Sequence, residues 1–204
     1  MSINVCNDRS MASITSLPSG VTGSSLVLIS EQTASSSSTI TFDSGIDSTY
    51  KEYIFKFIDI HPDTDNVGFD FNLSTDGGSN YNVTKTTTFF RAYLRENDTS
   101  PTLEYSTSRD LAQSTSNQTL SSSLDNKSDS SLSGKLKIFN PSSSVFVKHF
   151  ISDVNDVGTG GTDDYSVHSF SAGYGNTTSA INAVQFKMSS GNIDSGTIKM
   201  YGVV

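Results

Sequence analysis

At 204 residues the chain has room for one large β domain or two small ones, with a core that needs no disulfide or metal staple. Only 34% of residues are hydrophobic and 17% charged, and Ser plus Thr make up roughly 30%, yet 12 Phe and 8 Tyr supply enough apolar bulk to exclude a disordered chain. The net charge of −8, with no Lys/Arg cluster, argues against a phosphate-tracking nucleic-acid surface and against attraction to anionic lipid.

Residues 1–23 read as an irregular arm. The start, M-S-I-N-V-C-N-D-R-S-M-A-S, has no basic segment leading into an apolar one, so no secretion signal is expected and synthesis in the cytosol is. Cys6 is the sole cysteine, which rules out an internal disulfide and points to a reducing compartment. Ile3, Val5, Ile14 and Leu17 are apolar residues in a polar arm. They must pack on the domain or on a neighbour, unless the end simply frays. No apolar run approaches the ~18 residues of a membrane span.

From residue 24 onward the pattern predicts a single all-β domain. Residues 25–33 and Thr39–Phe42 give two strands around a flexible Ser35–Ser38 turn. Glu52–Ile60 is the strongest strand. It is apolar on both parities, with Tyr53, Phe55 and Phe57 on one and Ile54, Ile58 and Ile60 on the other, which places it near the middle of the fold. Val67, Phe69, Phe71 and Leu73 alternate inward along the next strand, and S-T-D-G-G-S-N-Y follows as a loop. Val83–Arg95 reads as a strand because of its Thr run and aromatics, although A-Y-L-R-E-N would also close one helical turn.

Residues 97–131 form a long polar excursion, broken at most by a short strand at Gln118–Leu120; such an excursion is functional or ordered by a partner. Gly134–Phe139 and Val145–Ile151 flank N-P-S-S-S as a hairpin, Asp153–Asp164 reads as an acidic Gly-rich loop, and Tyr165–Tyr174 as a strand. At the end, Val184, Phe186 and Met188 alternate with polar residues, as do Ile198 and Met200, across S-S-G-N-I-D-S-G; this predicts a terminal β-hairpin. About nine or ten strands without a long helix predict an antiparallel β-sandwich of jelly-roll type.

Candidate chemistry is sparse. Asp153, Asn155, Asp156, Asp163 and Asp164 would supply oxygen ligands for calcium, but the spacing is not that of an EF-hand, and the competing reading is an exposed acidic loop. His61, His149 and His168 form no metal-binding pair, and no G-x-S-x-G elbow accompanies the many serines. Tyr50, Tyr81, Tyr93 and Tyr105 are candidates for a sugar-stacking platform, weakened by the absence of Trp.

Four strings carry a resemblance: Phe71–Tyr81 (F-N-L-S-T-D-G-G-S-N-Y), Ile138–Ser143 (I-F-N-P-S-S), Phe146–Ser152 (F-V-K-H-F-I-S) and Phe186–Val203 (F-K-M-S-S-G-N-I-D-S-G-T-I-K-M-Y-G-V). Together they resemble small β-sandwich virion proteins of tailed bacteriophages, marine ones especially, which occur as capsid decoration or knob proteins and in tail appendages. The resemblance implies a non-enzymatic structural protein made in the bacterial host cytoplasm and found in the virion. A capsid-surface decoration or cement protein is the leading expectation, and a tail-associated receptor- or glycan-binding protein the alternative. The implied partners are other virion proteins, foremost the major capsid protein, and copies of the chain itself, without nucleic acid, membrane or cofactor. Contact with the particle is expected through the arm, at Ile3, Val5, Ile14 and Leu17.

Overall fold

The computed structural model describes residues 25–159 and 163–204, and every regular element among them is a β-strand. In chain order these are β1 (Leu26–Thr33), β2 (Ile40–Phe42), β3 (Glu52–Pro62), β4 (Val67–Ser74), β5 (Lys85–Arg95), β6 (Thr102–Tyr105), β7 (Gln118–Leu124), β8 (Leu132–Phe139), β9 (Lys148–Gly158), β10 (Tyr165–Gly175), β11 (Ala183–Met188) and β12 (Ile193–Val203). The all-β antiparallel class holds. The count is twelve where nine or ten were expected, because β6 and a full-length β7 lie within the supposed 97–131 excursion. The arm residues Ile3, Val5, Ile14 and Leu17 lie outside the described residues.

The strands form one continuous antiparallel sheet, in the order β1-β12-β3-β8-β9-β7-β4-β11-β2, from which β10, β5 and β6 extend beyond β9. Among the described residues β9 and β7 share a single ladder pair, Leu124 opposite Gly158. At the opposite seam the Gln32 side chain of β1 donates to the Thr41 carbonyl of β2. The sheet is thus nearly closed around its core, in place of the two separate sheets of a jelly roll.

Within that core the inner face of β3 meets β2, β4 and β11. Phe55 and Phe57 of β3 lie 5.4 and 5.3 Å, ring centre to ring centre, from Phe186 of β11, and Phe57 lies 5.2 Å from Phe69 of β4. Alternation alone would put Ile60 opposite Phe55 and Phe57, yet all three are buried and Ile58 is exposed. A bulge explains this. Asp59 takes φ +50°, the register shifts between Phe57 and Ile60, and the extra residue flips the parity so that Ile60 turns inward.

Gly196 of β12 sits opposite this bulge at φ +117°. A Cβ there would lie 2.6 Å from the Asp59 carbonyl oxygen and 2.7 Å from Ile60 Cα. Gly196→Ala is therefore expected to lower stability by about 1–3 kcal/mol, read by urea denaturation. A variant as stable as the parent would show that the bulge relaxes freely.

The terminal strands do not form a hairpin. β11 pairs with β2 and β4, whereas β12 pairs with β1 and β3. Ser189–Asn192 carries the chain across the core, so the apolar faces of β11 and β12 look at each other and not along one sheet. The β8–β9 hairpin, in contrast, is present, with Leu132 opposite Asp156 and Ile138 opposite Phe150.

All eight residues of β4 are buried, including Asp70, Asn72 and Ser74 on the face turned away from the aromatic core. The 106–117 segment and the start of β5 cover that face. Asn72 Nδ2 donates to the Thr115 carbonyl and to Asn117 Oδ1 at 3.1 and 2.9 Å, and buried Lys85 donates to Asn72 Oδ1 at 2.6 Å. The polar excursion is a lid on a polar strand face, held by hydrogen bonds in place of apolar packing.

Candidate functional site

β5, β10 and β9 are eleven-residue strands paired along their whole length without a register shift, from Lys85–Gly175–Lys148 to Arg95–Tyr165–Gly158. β6 extends this ribbon, with Tyr105 opposite Phe90 and Leu103 opposite Ala92. The period of two sorts the side chains. Lys85, Thr87, Phe89, Val167, Ser169 and Ser171 turn inward and are buried. Thr86, Thr88, Phe90, Ala92 and Leu94 of β5 turn outward, as do Ser166, His168, Phe170, Ala172 and Tyr174 of β10 and Leu103 and Tyr105 of β6. None of these twelve is Asp, Glu, Lys or Arg.

Large apolar side chains are open to solvent on this face: Phe90 is 41% exposed, Tyr105 51% and Leu103 75%, with Ile151 of β9 at 50%. Phe90 and Phe170 stack at 5.0 Å with their planes 16° apart, and His168 lies 4.2 Å from Phe170. The same row continues into charge. Asp153 of β9 follows Phe170, then come Lys135 of β8, Lys56 of β3 and Lys199 of β12, and Glu31 of β1 ends it. Asp153 binds His168 at 2.7 Å and Lys135 at 3.4 Å, and Lys199 pairs with Glu31 at 3.0 Å. One sheet face thus has an uncharged aromatic half and an ion-paired half.

The ribbon is braced from beneath. Arg91 donates to Glu104 at 2.7 Å and to Ser122 at 2.8 Å, tying β5 to β6 and β7. Ser121 of β7 donates to Asp156 of β9 at 2.8 Å, and Asp156 Oδ2 has no protein partner among the described residues. Burial pushes the Asp156 carboxyl up to about 7 from 3.8. Burial pushes the Lys85 ammonium down to about 8 from 10.5.

The signs follow by linkage. Asp156 contributes fully below pH 3.8, and its contribution is gone once the pH passes about 7. Lys85, displaced the other way, contributes fully only above 10.5 and loses that contribution as the pH falls through about 8. Asp156→Asn is therefore expected to flatten the decline in stability between pH 4 and 7, read from urea midpoints. An unchanged slope would mean that Asp156 titrates normally.

The calcium candidates do not converge. The supposed acidic loop is strand up to Gly158, so Asp153 and Asn155 point outward from β9 while Asp156 points inward. Asp163 accepts from Asn97 at 2.7 Å, and Asp164 is ion-paired to Lys127. Among the described residues no group of three or more His, Cys, Asp or Glu side chains could hold a metal.

The histidines likewise meet no serine hydroxyl among the described residues. His61 Nδ1 contacts the Ser130 carbonyl at 2.7 Å, His149 packs 6.1 Å from the Tyr174 ring, and His168 binds Asp153. Of the four tyrosines proposed as a platform, only Tyr105 lies on the aromatic face. Tyr50 packs against the core beside Tyr53, the Tyr81 hydroxyl is buried, and Tyr93 faces inward under Arg91. A cavity of about 180 Å³ lies beside it, lined by Arg91, Tyr93, Ser123, Thr159, Tyr165 and Val167, and wider, shallower depressions of about 480 and 560 Å³ lie on the outer face, by His149, Ile151 and Tyr174 and by Leu94, Leu103 and His168.

Phe90 and Phe170 are the residues the sequence reading missed. A signal existed: Phe89 and Phe90 are adjacent, and in an alternating strand one of the two must face out.

Fold and site define a class: an antiparallel β-protein that presents an uncharged aromatic sheet face. No family model, curated protein or solved structure matches the chain.

Proposed function

We propose that this chain is a non-enzymatic structural protein of a tailed-phage virion, acting as a capsid-surface decoration or cement protein with the major capsid protein as its principal partner. The observation that carries the reading is the aromatic face on a rigid, bulge-free ribbon, a surface suited to contact. The virion part of the reading rests on the resemblance of the strings at Phe71–Tyr81 and Phe186–Val203 to those of such proteins. They lie on β4, on β11 and β12 and on the turns beside them, and so belong to the scaffold.

Mass spectrometry of purified particles tests the proposal: the protein should be present in many copies per particle, and its absence from mature virions would end it. A receptor- or glycan-binding role at the tail is the second reading, favoured by the Tyr105–Phe90–Phe170 row, and it requires few copies. Copies of the protein at −8 each repel one another on a shared shell, and we expect apolar and hydrogen-bonded contacts to overcome that repulsion. Binding to particles is therefore expected to weaken little between about 0.05 and 0.5 M salt, whereas a steep loss would mean ion-pair attachment.

A further inference from the structure

We propose that the outer face of β6, β5 and β10, with its rim on β9, is the surface on which a second copy of this chain docks, aromatic face to aromatic face about a two-fold axis. Four observations carry this. The first is charge. Two copies at −8 each repel wherever acidic surfaces meet, but the twelve outward positions of β6, β5 and β10 hold no formal charge. Across that patch two identical molecules approach with the carboxylates of Asp153 and Asp110 kept to its edges.

The second is area. Four strands spaced ~4.8 Å apart, three of them about 36 Å long and β6 about 13 Å, cover roughly 580 Å² per copy, or about 1,160 Å² across the pair, which clears the ~1,000 Å² expected of a specific interface. The third is shape. Full-length pairing of β5, β10 and β9 without a bulge gives a regular array of side-chain rows, and two such arrays related by a two-fold rotation stack face to face as two sheets do. The fourth is chemistry. Phe90 and Phe170 have no hydroxyl, Ala92, Ala172, Leu94 and Leu103 bring no polar side chain, and the polar groups nearest the rings are already engaged: the Tyr105 hydroxyl donates to Asp110 at 2.6 Å and His168 binds Asp153 at 2.7 Å. A sugar ring needs directed hydrogen bonds beside its stacking partner. Large apolar side chains clustered at the centre of a patch are what a protein interface uses.

Within this dimer Phe90 and Phe170 lie at the centre and Leu103 on the exposed β6 edge. Asp153, paired with His168 and Lys135, forms the polar rim. The proposal concerns the free protein and does not need the virion reading, but it uses the same face, so in a particle the two contacts would compete for it.

Sedimentation equilibrium of the full chain at tens of micromolar tests it. The expected result is twice the 21.9 kDa chain mass. Phe90→Lys and Leu103→Lys each place like charges at the interface and are expected to weaken association roughly thirtyfold or more. Both positions are solvent-facing, so thermal unfolding should show that the variants still fold. Ile58→Lys, exposed on β3 at the far end of the same sheet, should leave the dimer intact. A monomeric parent protein at about 100 µM, or a dimer that both face variants leave unchanged, overturns the proposal. So does a monomer that binds an oligosaccharide array in a Phe90-dependent way, since the face would then belong to a glycan.

Discussion

Deleting residues 1–20 is expected to leave the sheet folded while abolishing incorporation into particles. The first half of that expectation rests on where the core comes from. β1 begins at Leu26, paired with Val203, and no buried hydrophobic side chain among the described residues precedes Ala34. The described core is therefore complete without the deleted segment, and the unfolding temperature of the truncated protein should stay within a few degrees of the parent's. The second half rests on composition. Ile3, Val5, Ile14 and Leu17 are large apolar residues in a mainly polar stretch, and such a segment is expected to order on a partner. Particles assembled with the truncated protein should carry none of it in quantitative mass spectrometry. Normal incorporation would take the arm out of the attachment and leave the sheet faces as the contact. A truncated protein with a strongly lowered unfolding temperature would instead tie the arm to the domain's own stability.

The inward residues of β4, β11 and the second half of β12 were legible because period two needs only a polar outer side to show itself. Val67, Phe69, Phe71, Leu73, Val184, Phe186, Met188, Ile198 and Met200 are all buried. What was hidden depends on partners distant in sequence. Alternation in β11 and β12 says which side chains share a face but not which strand lies alongside, so a crossing of the core read as a hairpin. Nor does polar composition distinguish a loop in solvent from the 106–117 lid, whose hydrogen bonds to Asn72 and the β5 backbone exist only once β4 and β5 are in place.

The same limit applies to the site. Asp153, Asn155 and Asp156 look like a ligand set as a string, but in a strand they fall on two faces. The aromatic half of the outer face is made by three strands that contribute Phe90, Phe170 and Tyr105 singly; the Phe89–Phe90 pair says that one ring faces out, but no local pattern says that the three meet.

Phe186→Ala is expected to be the most damaging single substitution in the core, costing about 3–5 kcal/mol. The Phe186 ring is fully buried on β11 and sits among five others: Phe57 at 5.3 Å, Phe55 at 5.4 Å, Phe69 at 5.9 Å, Phe42 at 6.3 Å and Phe71 at 6.5 Å. These neighbours come from β2, β3 and β4, so one side chain links the strands on both sides of the core. Truncation removes its own buried area and leaves a void walled by rings on strands whose hydrogen-bonded ladders resist collapse, which is the condition for the upper end of the range. A domain of this kind is stable by only about 5–15 kcal/mol, so the variant should sit near the edge of folding. Phe186→Leu keeps most of the volume and loses the edge-to-face contacts, for an expected cost of about 1–2 kcal/mol. The difference between the two variants in urea denaturation separates cavity from ring geometry. A loss below about 2 kcal/mol for the alanine variant would mean that the rings close over the void, and Phe186 would then not be the centre on which the sheet closes.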